Sequence, residues 1–199
     1  MAEKGKLIVI SGPSGAGKST VVNRAIQGRT DMCFSTSVTT RSPRPGEVDG
    51  KDYFFIDQEH FQQMVERGEL LEHASYVAHS YGTPRAFVEK QMDDGYNVIL
   101  DIEVHGARQV KEKMPEAVLI FILPPSMEEL RRRLESRGTD SGDVIEARLL
   151  RAKEELKEAS IYDYIIVNDK IDDAAADFAA ILKAEHCRFA HRKHLLETF

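Results

Sequence analysis

The sequence predicts an α/β fold in which helices cover both faces of a parallel sheet, with a mixed α+β lobe inserted into this three-layer core and a helical lid. Strand and helix patterns alternate along most of the chain, and the strands are continuously apolar, as in sheets covered on both faces. Residues 33–82 interrupt the alternation with short strand-like runs and a turn-rich loop, which indicates the inserted lobe. Residues 137–143 form a polar link between two arginine-bearing helices, which is typical of a mobile flap.

Four core strands are predicted from short apolar runs rich in β-branched residues. They cover residues 6–11, 97–102, 117–123 and 163–167. Because helical stretches separate most of them, these strands are expected to pair in parallel and to leave their carboxyl ends at one edge, where ligands of such sheets bind. In the interrupting segment, strand-like runs lie around residues 34–38, 53–56 and 69–77.

The helices are bounded by recognisable terminal residues. Thr83 followed by Pro84 predicts an N-cap and a first helical residue, and Gly95 is expected to end that helix. Ser126 and Glu129 predict a capping box at another helix start. Further helices are predicted over residues 18–26, 58–67, 143–159 and 172–196.

Length and composition indicate one domain and argue mildly against a nucleic-acid partner. A chain of 199 residues is long enough to bury a core, and its net charge of −6 supplies no general basic field for nucleic acid. Cys33 and Cys187 lie far apart in sequence, which favours a reducing, cytoplasmic setting. No signal peptide and no membrane association are expected, because no window approaches the roughly 20 apolar residues of a membrane span.

A phosphate-binding loop is the most specific motif. Residues 12–19 have the sequence Gly-Pro-Ser-Gly-Ala-Gly-Lys-Ser, between an apolar strand and a helix. This order directs backbone N–H groups and the positive end of a helix at one anion. Lys18 can reach the terminal phosphates, and the Ser19 hydroxyl can hold Mg²⁺. The motif therefore predicts a P-loop core that binds a nucleoside triphosphate.

A second group of residues is suited to a phosphate monoester. Arg41 and Arg44 flank Pro43, and Tyr53 follows after a glycine turn. Each guanidinium offers a planar pair of donors to phosphate, and the tyrosine hydroxyl adds a neutral donor. Taken alone, the two arginines are more typical of a solvated basic loop.

Residues 39–55, together with the phosphate-binding loop, resemble the signature of guanylate kinases, and the similarity extends from about Lys6 to about Lys183. The resemblance implies that the chain transfers the γ-phosphoryl group of ATP to GMP, giving ADP and GDP with Mg²⁺, in purine nucleotide metabolism and GMP recycling. It implies one domain over residues 1–199. Its expected parts are a core of about 1–33, 84–126 and 151–184, a GMP-binding lobe of about 34–83, a lid of about 127–150 and a tail of 185–199.

Two other functions have weaker support in the sequence. A non-catalytic guanylate-kinase-like scaffold would bind a peptide with the same lobe, but such modules tend to lose the loop lysine, whereas Lys18 is present. A GTP-binding switch would require an Asn-Lys-x-Asp motif, and Val167-Asn168-Asp169-Lys170 has the wrong spacing.

The resemblance also implies roles in GMP binding. Arg41, Arg44, Tyr53 and Tyr81 would hold the phosphate, Ser37, Glu72 and Thr83 would recognise the base, and Asp101 and Glu103 would lie near the magnesium, guanine or ribose. A carboxylate only accepts hydrogen bonds, so Glu72 can take the N1 and N2 protons of guanine, whereas adenine N1 is itself an acceptor. Without the family, a salt bridge remains open for Glu72 and helix capping for Glu103, where the family usually has aspartate.

The implied ATP-binding residues are Gly12, Pro13, Ser14, Gly15, Ala16, Gly17, Lys18, Ser19, Thr20 and Asn168, with Ser19 and Asp101 as metal ligands. The implied catalytic residues are Lys18, Arg44, Arg137 and Arg148. Phosphoryl transfer needs cations on the migrating group, and arginines on a closing lid supply them. Arg133 also flanks the predicted flap, and the sequence does not separate these lid arginines from Arg131, Arg132 and Arg151. A homo-oligomer is possible, and no function is assigned to the tail.

Overall fold

The computed structural model describes residues 4–76, 78–136, 138 and 140–198, and of residues 194, 197 and 198 the backbone alone. The strands of this part are β1 (Leu7–Ser11), β2 (Met32–Phe34), β3 (Val38–Thr39), β4 (Phe54–Phe55), β5 (Leu70–Tyr76), β6 (His79–Pro84), β7 (Asn97–Asp101), β8 (Val118–Leu123) and β9 (Tyr164–Val167). The helices are α1 (Lys18–Ile26), α2 (Gln58–Glu66), α3 (Arg85–Asp93), α4 (Val104–Lys113), α5 (Met127–Ser136), α6 (Gly142–Lys157), α7 (Ile171–His186) and α8 (Phe189–Arg192), with 3₁₀ turns at Ala159–Ile161 and Lys193–Thr198.

The chain divides into two compact units. Unit 1 comprises Met1–Val9 and Thr30–Leu119, and unit 2 comprises Ile10–Arg29 and Ile120–Phe199. Strands β1 and β8 therefore contribute residues to both units. The division into core, lobe, lid and tail stays a prediction.

The parallel sheet of the predicted α/β fold is present. Its strand order is β2-β7-β1-β8-β9. In unit 1, β2 runs parallel to β7 with Met32 opposite Asn97, and in unit 2, β9 runs parallel to β8 with Tyr164 opposite Ile120. All five residues of β1 are buried, because a strand in the middle of a covered sheet has no face in water. The four core strands agree with the sequence prediction to within one residue at each end.

The inserted lobe contains a second, mixed sheet with the order β4-β3-β6-β5. Strand β3 is parallel to β4 and antiparallel to β6, and β6 is antiparallel to β5. Helix α2 covers this sheet by packing Phe61 against Val38 and Leu70. Asp57 caps α2, since its carboxylate accepts a hydrogen bond from the His60 N–H.

Two strand predictions in this region were incomplete. The run predicted around residues 34–38 is two strands, because β2 pairs with β7 and β3 pairs with β4 and β6. The chain leaves the parallel sheet after Phe34, where the Ser35 N–H makes a last bond to the Ile99 carbonyl. Strand β6 was not predicted, since its sequence His-Ser-Tyr-Gly-Thr-Pro lacks apolar alternation.

The N-cap predicted at Thr83 is wrong. Residues through Pro84 belong to β6, and Pro84 itself is the N-cap of α3. The Thr83 hydroxyl is used elsewhere, because it donates a hydrogen bond to Glu72. The end of this helix is as predicted, with Gly95 at a φ of 92° just beyond it.

Two other helix predictions need correction. The capping box before α5 is half formed: the Glu129 N–H donates to the Ser126 hydroxyl, while the Glu129 carboxylate binds Arg132 and Arg133. The last helix ends at His186, and the chain continues through α8 and a 3₁₀ turn. No helix among residues 4–76, 78–136 and 140–198 combines the length and apolarity needed to cross a membrane.

Candidate active site

The phosphate-binding loop connects β1 to α1 in unit 2, and none of its three glycines, Gly12, Gly15 and Gly17, can be replaced without backbone strain. Gly12 has a φ of 143°, and a Cβ there would lie 2.0 Å from the Ile122 carbonyl oxygen. Gly17, the N-cap of α1, has a φ of 84°, and its Cβ would lie 2.4 Å from Asn168 Nδ2. The loop therefore packs directly on its neighbours and presents its backbone at the start of α1.

The residues that follow these glycines are placed for anion binding. The Lys18 ammonium lies over the loop and donates a hydrogen bond to the Gly12 carbonyl at 2.7 Å. Ser19 and Thr20 are in the first turn of α1, and both are exposed. The first N–H groups of a helix have no partner within the helix. Together with the Lys18 ammonium and the hydroxyls of Ser19 and Thr20, they can hold a polyphosphate.

Asn168 holds the phosphate-binding loop through a buried hydrogen bond. It is 3% exposed, and its Nδ2 donates to the Ala16 carbonyl at 2.8 Å. Arg133 of α5 joins the two, since its guanidinium donates to the carbonyls of Asn168 at 2.8 Å and of Ala16 at 3.4 Å. The sequence placed Arg133 among the arginines that flank the predicted flap, but it did not separate Arg133 from its neighbours Arg131 and Arg132 and did not predict these two bonds.

A cavity of about 600 Å³ opens beside the loop, and we call it the loop cavity. Four of the predicted ATP-binding residues line it: Gly15, Gly17, Thr20 and Asn168. The others are Pro125, Glu129, Arg132, Arg133, Ser136, Asp169 and Ile171. Hydrogen bonds from Arg132 and Arg133 lower the pKa of Glu129 to about 2, so this carboxylate is charged and holds both arginines in place.

The other arginines of α5 and α6 are held by carboxylates. Arg148 bridges to Asp140 at 3.3 Å, and Arg131 pairs with Glu146. Arg151 pairs with Glu155 at 3.2 Å. Arg137, predicted to be catalytic, lies outside the described residues.

A second cavity, of about 330 Å³, lies within unit 1, and we call it the lobe cavity. Six of the predicted GMP-binding residues line it: Ser37, Tyr53, Glu72, Tyr81, Asp101 and Glu103. The other lining residues are Ala74, Ser75, Tyr76, Ile102, His105 and Gly106. His105 and Gly106 lie in the first turn of α4, a few residues after the polar end of β7, and that position at the carboxyl edge of the sheet could have indicated them.

Glu72 is the buried acidic group of the lobe cavity. It is 7% exposed, and its Oε1 accepts a hydrogen bond of 2.6 Å from the Thr83 hydroxyl, which is fully buried. Burial raises the pKa of Glu72, while Thr83 and the nearby charge of Lys113 act in the opposite direction. The carboxylate thus keeps unused acceptor capacity in a pocket large enough for a base.

Arg41 stands at the centre of a compact group in the lobe. Its guanidinium makes a two-point ion pair with Glu47 at 2.8 and 2.9 Å and donates to the Ser42 carbonyl. This pair raises the pKa of Arg41 and lowers that of Glu47. The same guanidinium lies 5.4 Å from the Tyr53 ring centre and 5.7 Å from that of Phe55. Arg41 is therefore held in one orientation.

The remaining phosphate-binding candidates are arranged around this group. The rings of Tyr53 and Tyr81 meet edge to face, with centroids 6.2 Å apart. Arg44 is exposed and donates its backbone N–H to the Glu47 carboxylate at 2.7 Å.

Asp101 and Glu103 lie close together at the end of β7. Asp101 is exposed, and Glu103 occupies the N-cap position of α4 without a capping bond from its side chain. Helix capping by the Glu103 carboxylate, which the sequence left open, is thus wrong. Among residues 4–76, 78–136, 138 and 140–198, no three His, Cys, Asp or Glu side chains lie close enough to form a metal site together.

Comparison with known proteins identifies the relatives of this chain. The family model "Guanylate kinase" matches residues 4–185. Guanylate kinase of Lactococcus lactis subsp. lactis is 52% identical over 188 residues, covering 94% of this chain and 92% of that protein. Guanylate kinase of Thermus thermophilus is 51% identical over 194 residues, covering 98% of this chain and 88% of that protein. The crystal structure of guanylate kinase from Anaplasma phagocytophilum matches with a TM-score of 0.74 and 38% identity, covering 100% of this chain and 96% of that one.

The raised pKa of Glu72 predicts that this carboxylate lowers the stability of the fold at neutral pH. A carboxyl group with a higher pKa in the folded than in the unfolded state binds its proton more tightly when folded, so stability is gained as the pH falls through the folded pKa. Glu72→Gln removes this titration. We expect the unfolding midpoint of the variant, minus that of the wild type, to increase as the pH rises.

The measurement is urea unfolding from pH 5 to pH 8, and the control is Glu66→Gln on the exposed face of α2. The control difference should be small and independent of pH. A difference for Glu72→Gln that does not change with pH would show that the group is not perturbed by burial.

Proposed function

The chain belongs to the guanylate kinase family, and we propose that its two cavities divide the substrates, with GMP in the lobe cavity and ATP at the phosphate-binding loop. The protein transfers the γ-phosphoryl group of ATP to GMP and releases ADP and GDP. The observation that carries the residue assignment is the buried Glu72 carboxylate, which accepts a hydrogen bond from Thr83 and faces a cavity of about 330 Å³.

Guanine is recognised through its hydrogen-bonding edge. It presents two neighbouring donors, N1–H and the N2 amine, and a carboxylate accepts from both. The Thr83 hydroxyl is already donating to Glu72, so it fixes the carboxylate, while Ser37 supplies a hydroxyl at the cavity wall. Adenine has an acceptor at N1, which would leave Glu72 repelled and unpaired. Such a mismatch at a buried group discriminates by a factor on the order of 10⁴.

The phosphate of GMP binds at Arg41 and Arg44. Glu47 and the aromatic rings of Tyr53 and Phe55 keep the Arg41 guanidinium in place, so little side-chain entropy remains to be lost on binding. Its five N–H groups exceed those used by Glu47 and Ser42, which leaves donors for phosphate. Tyr53 and Tyr81 add hydroxyl donors.

ATP binds with its phosphates on the backbone of residues 12–19. When ATP binds, the Lys18 ammonium leaves the Gly12 carbonyl and contacts the β- and γ-phosphates. It binds them more strongly because a phosphate oxygen is charged and a carbonyl oxygen is neutral. The adenine occupies the loop cavity beside Asn168. The Asn168 Oδ1 atom is buried without a hydrogen-bond partner among the described residues, and the adenine amine is a suitable donor for it.

Mg²⁺ fits the residues that the resemblance assigns to it. The Ser19 hydroxyl and the Asp101 carboxylate are accessible oxygen donors, which is the type of ligand that Mg²⁺ takes from proteins alongside phosphate oxygens and water. Bound with ATP, the ion would neutralise charge on the phosphates.

Transfer itself requires positioning and positive charge. An oxygen of the GMP phosphate is already anionic, so no general base is needed for its attack on the γ-phosphorus. Lys18, Arg44, Arg137 and Arg148 stabilise the migrating group, and Arg148 exchanges its pairing with Asp140 for phosphate. Arg133 fixes the loop and Asn168 through its bonds to the Ala16 and Asn168 carbonyls.

The cellular setting follows from the same reasoning. A cytoplasmic location is supported by two free thiols, Cys33 and Cys187. The expected role is GMP recycling in purine nucleotide metabolism, with small-molecule partners and no nucleic acid, in keeping with the net charge of −6. Homo-oligomer formation stays a prediction.

Replacing Lys18 tests the assignment of the phosphate-binding loop. Lys18→Ala removes the loop ammonium, and we expect kcat for ADP formation to fall by about 10³-fold because charge on the migrating group loses its stabilisation. The control is Lys183→Ala, near the end of α7, which should retain full activity. Near-normal turnover of Lys18→Ala would remove this residue from the mechanism.

Replacing Glu72 tests the assignment of the base. Glu72→Gln replaces one acceptor oxygen with an amide NH2 group, which is a donor and therefore cannot pair with the guanine donors. We expect KM for GMP to rise by at least about 10-fold, while KM for ATP changes by less than about 2-fold. Glu66→Gln is the matched control and should change neither constant. Equal increases in both KM values would contradict base recognition by Glu72.

A further inference from the structure

Glu72 lies in an irregular part of strand β5. Leu70 is opposite Pro84 and His73 is opposite Gly82, so β5 contains one more residue than β6 over this stretch. Such a β-bulge interrupts the ladder of hydrogen bonds between two strands and redirects a side chain. The backbone on either side of Glu72 therefore depends on partners outside its own sheet.

Helix α4 supplies those partners. The side-chain amide of Gln109 binds both backbone groups of His73: its Oε1 accepts from the N–H at 3.1 Å, and its Nε2 donates to the carbonyl at 3.0 Å. The Lys113 ammonium donates to the Leu70 carbonyl at 2.9 Å. Both ends of the bulge are thus bonded to residues four positions apart on one face of α4.

Gly106 is the third residue on this face. A Cβ at Gly106 would lie 3.0 Å from Glu72 Oε2 and 3.3 Å from Ile102 Cδ1. Glycine is therefore the residue that leaves room for the carboxylate in its present orientation. We call Gly106, Gln109 and Lys113 the α4 clamp.

We propose that Gln109 is a positioning residue for substrate selection: through His73 it fixes the orientation of Glu72, and Gly106 leaves the space that this orientation needs. The inference rests on the proposed function, in which Glu72 recognises guanine. Gln109 is not among the residues lining the lobe cavity, so it acts through the backbone of β5. Its amide replaces the neighbouring strand that the bulge lacks, and it sets the peptide next to Glu72.

The geometry predicts which part of recognition is sensitive. One carboxylate must meet two donors of guanine at once, and a small rotation keeps one contact while losing the other. Inosine monophosphate keeps the N1–H of GMP but has no N2 amine. The ratio of kcat/KM for GMP to that for inosine monophosphate therefore reports the alignment of Glu72, and a general loss of stability leaves this ratio unchanged.

The test is Gln109→Leu, which has nearly the same volume but cannot bind His73. We expect kcat/KM for GMP to fall about 10-fold, mainly through KM, with KM for ATP changed less than about 2-fold and the preference for GMP over inosine monophosphate lowered at least about 3-fold. Glu112→Leu, an exposed position on the same helix, is the control and should change none of these. Equal losses with GMP, ATP and inosine monophosphate would overturn the proposal.

A double-mutant cycle distinguishes the role of Gln109 from base recognition by Glu72, on which it rests. If Gln109 acts through Glu72, Gln109→Leu should change the GMP preference by less than about 2-fold in the Glu72→Gln background. The same change in both backgrounds would refute action through Glu72. If Glu72→Gln alone leaves GMP use unaffected, base recognition by Glu72 is rejected instead.

Gly106→Ala is a second variant that keeps the test informative if Gln109→Leu folds poorly. Alanine is a better helix former than glycine, so the variant is expected to fold. Its Cβ displaces the carboxylate, and we expect the same GMP-selective loss, again about 10-fold in kcat/KM. Unchanged selectivity for GMP in this variant would count against the assigned role of the α4 clamp.

Discussion

A carboxylate that is almost entirely buried and carries a raised pKa constrains the lobe around it. Removing Glu72 from water is unfavourable unless its oxygens find donors, and the Thr83 hydroxyl donates to it at 2.6 Å. Lys113 offsets part of the cost through its charge. The surrounding structure serves the same group: a bulge in β5 directs it, and Gly106 gives it space. In the proposed function, guanine supplies further donors to this carboxylate.

The phosphate-binding loop in unit 2 provides its donors mainly from the backbone, whereas the lobe cavity depends on a buried charged side chain. A polyphosphate needs many donors in a small volume, and a helix start provides them without side chains. The cost is close packing, since Gly12 lies against Ile122 and Gly17 against Asn168. Arg133 and Asn168 bond to the Ala16 carbonyl and so hold the loop in one shape. In the proposed function, the lobe cavity therefore selects by the identity of a base, and the phosphate-binding loop binds by charge and geometry.

Much of this was predictable where the signal is local. The four core strands, α1 and the phosphate-binding loop follow from short stretches whose apolar character or glycine content suffices. Thr83 shows the limit: its sequence context indicates an N-cap, but tertiary structure places its hydroxyl on Glu72. Gln109 shows it again, because it bonds to His73, 36 residues away, and no pattern in either segment reveals the pairing. Arg133 was similarly indistinguishable from its neighbours until the fold brought it to residue 168.

A crystal structure with GMP bound would test base recognition by Glu72 most directly. We expect both carboxylate oxygens of Glu72 within about 3.2 Å of donors, one on guanine N1 and one on the N2 amine, with the Thr83 bond retained. The GMP phosphate should contact the Arg41 guanidinium. A guanine ring held elsewhere, with Glu72 still bonded only to Thr83, would contradict the assignment.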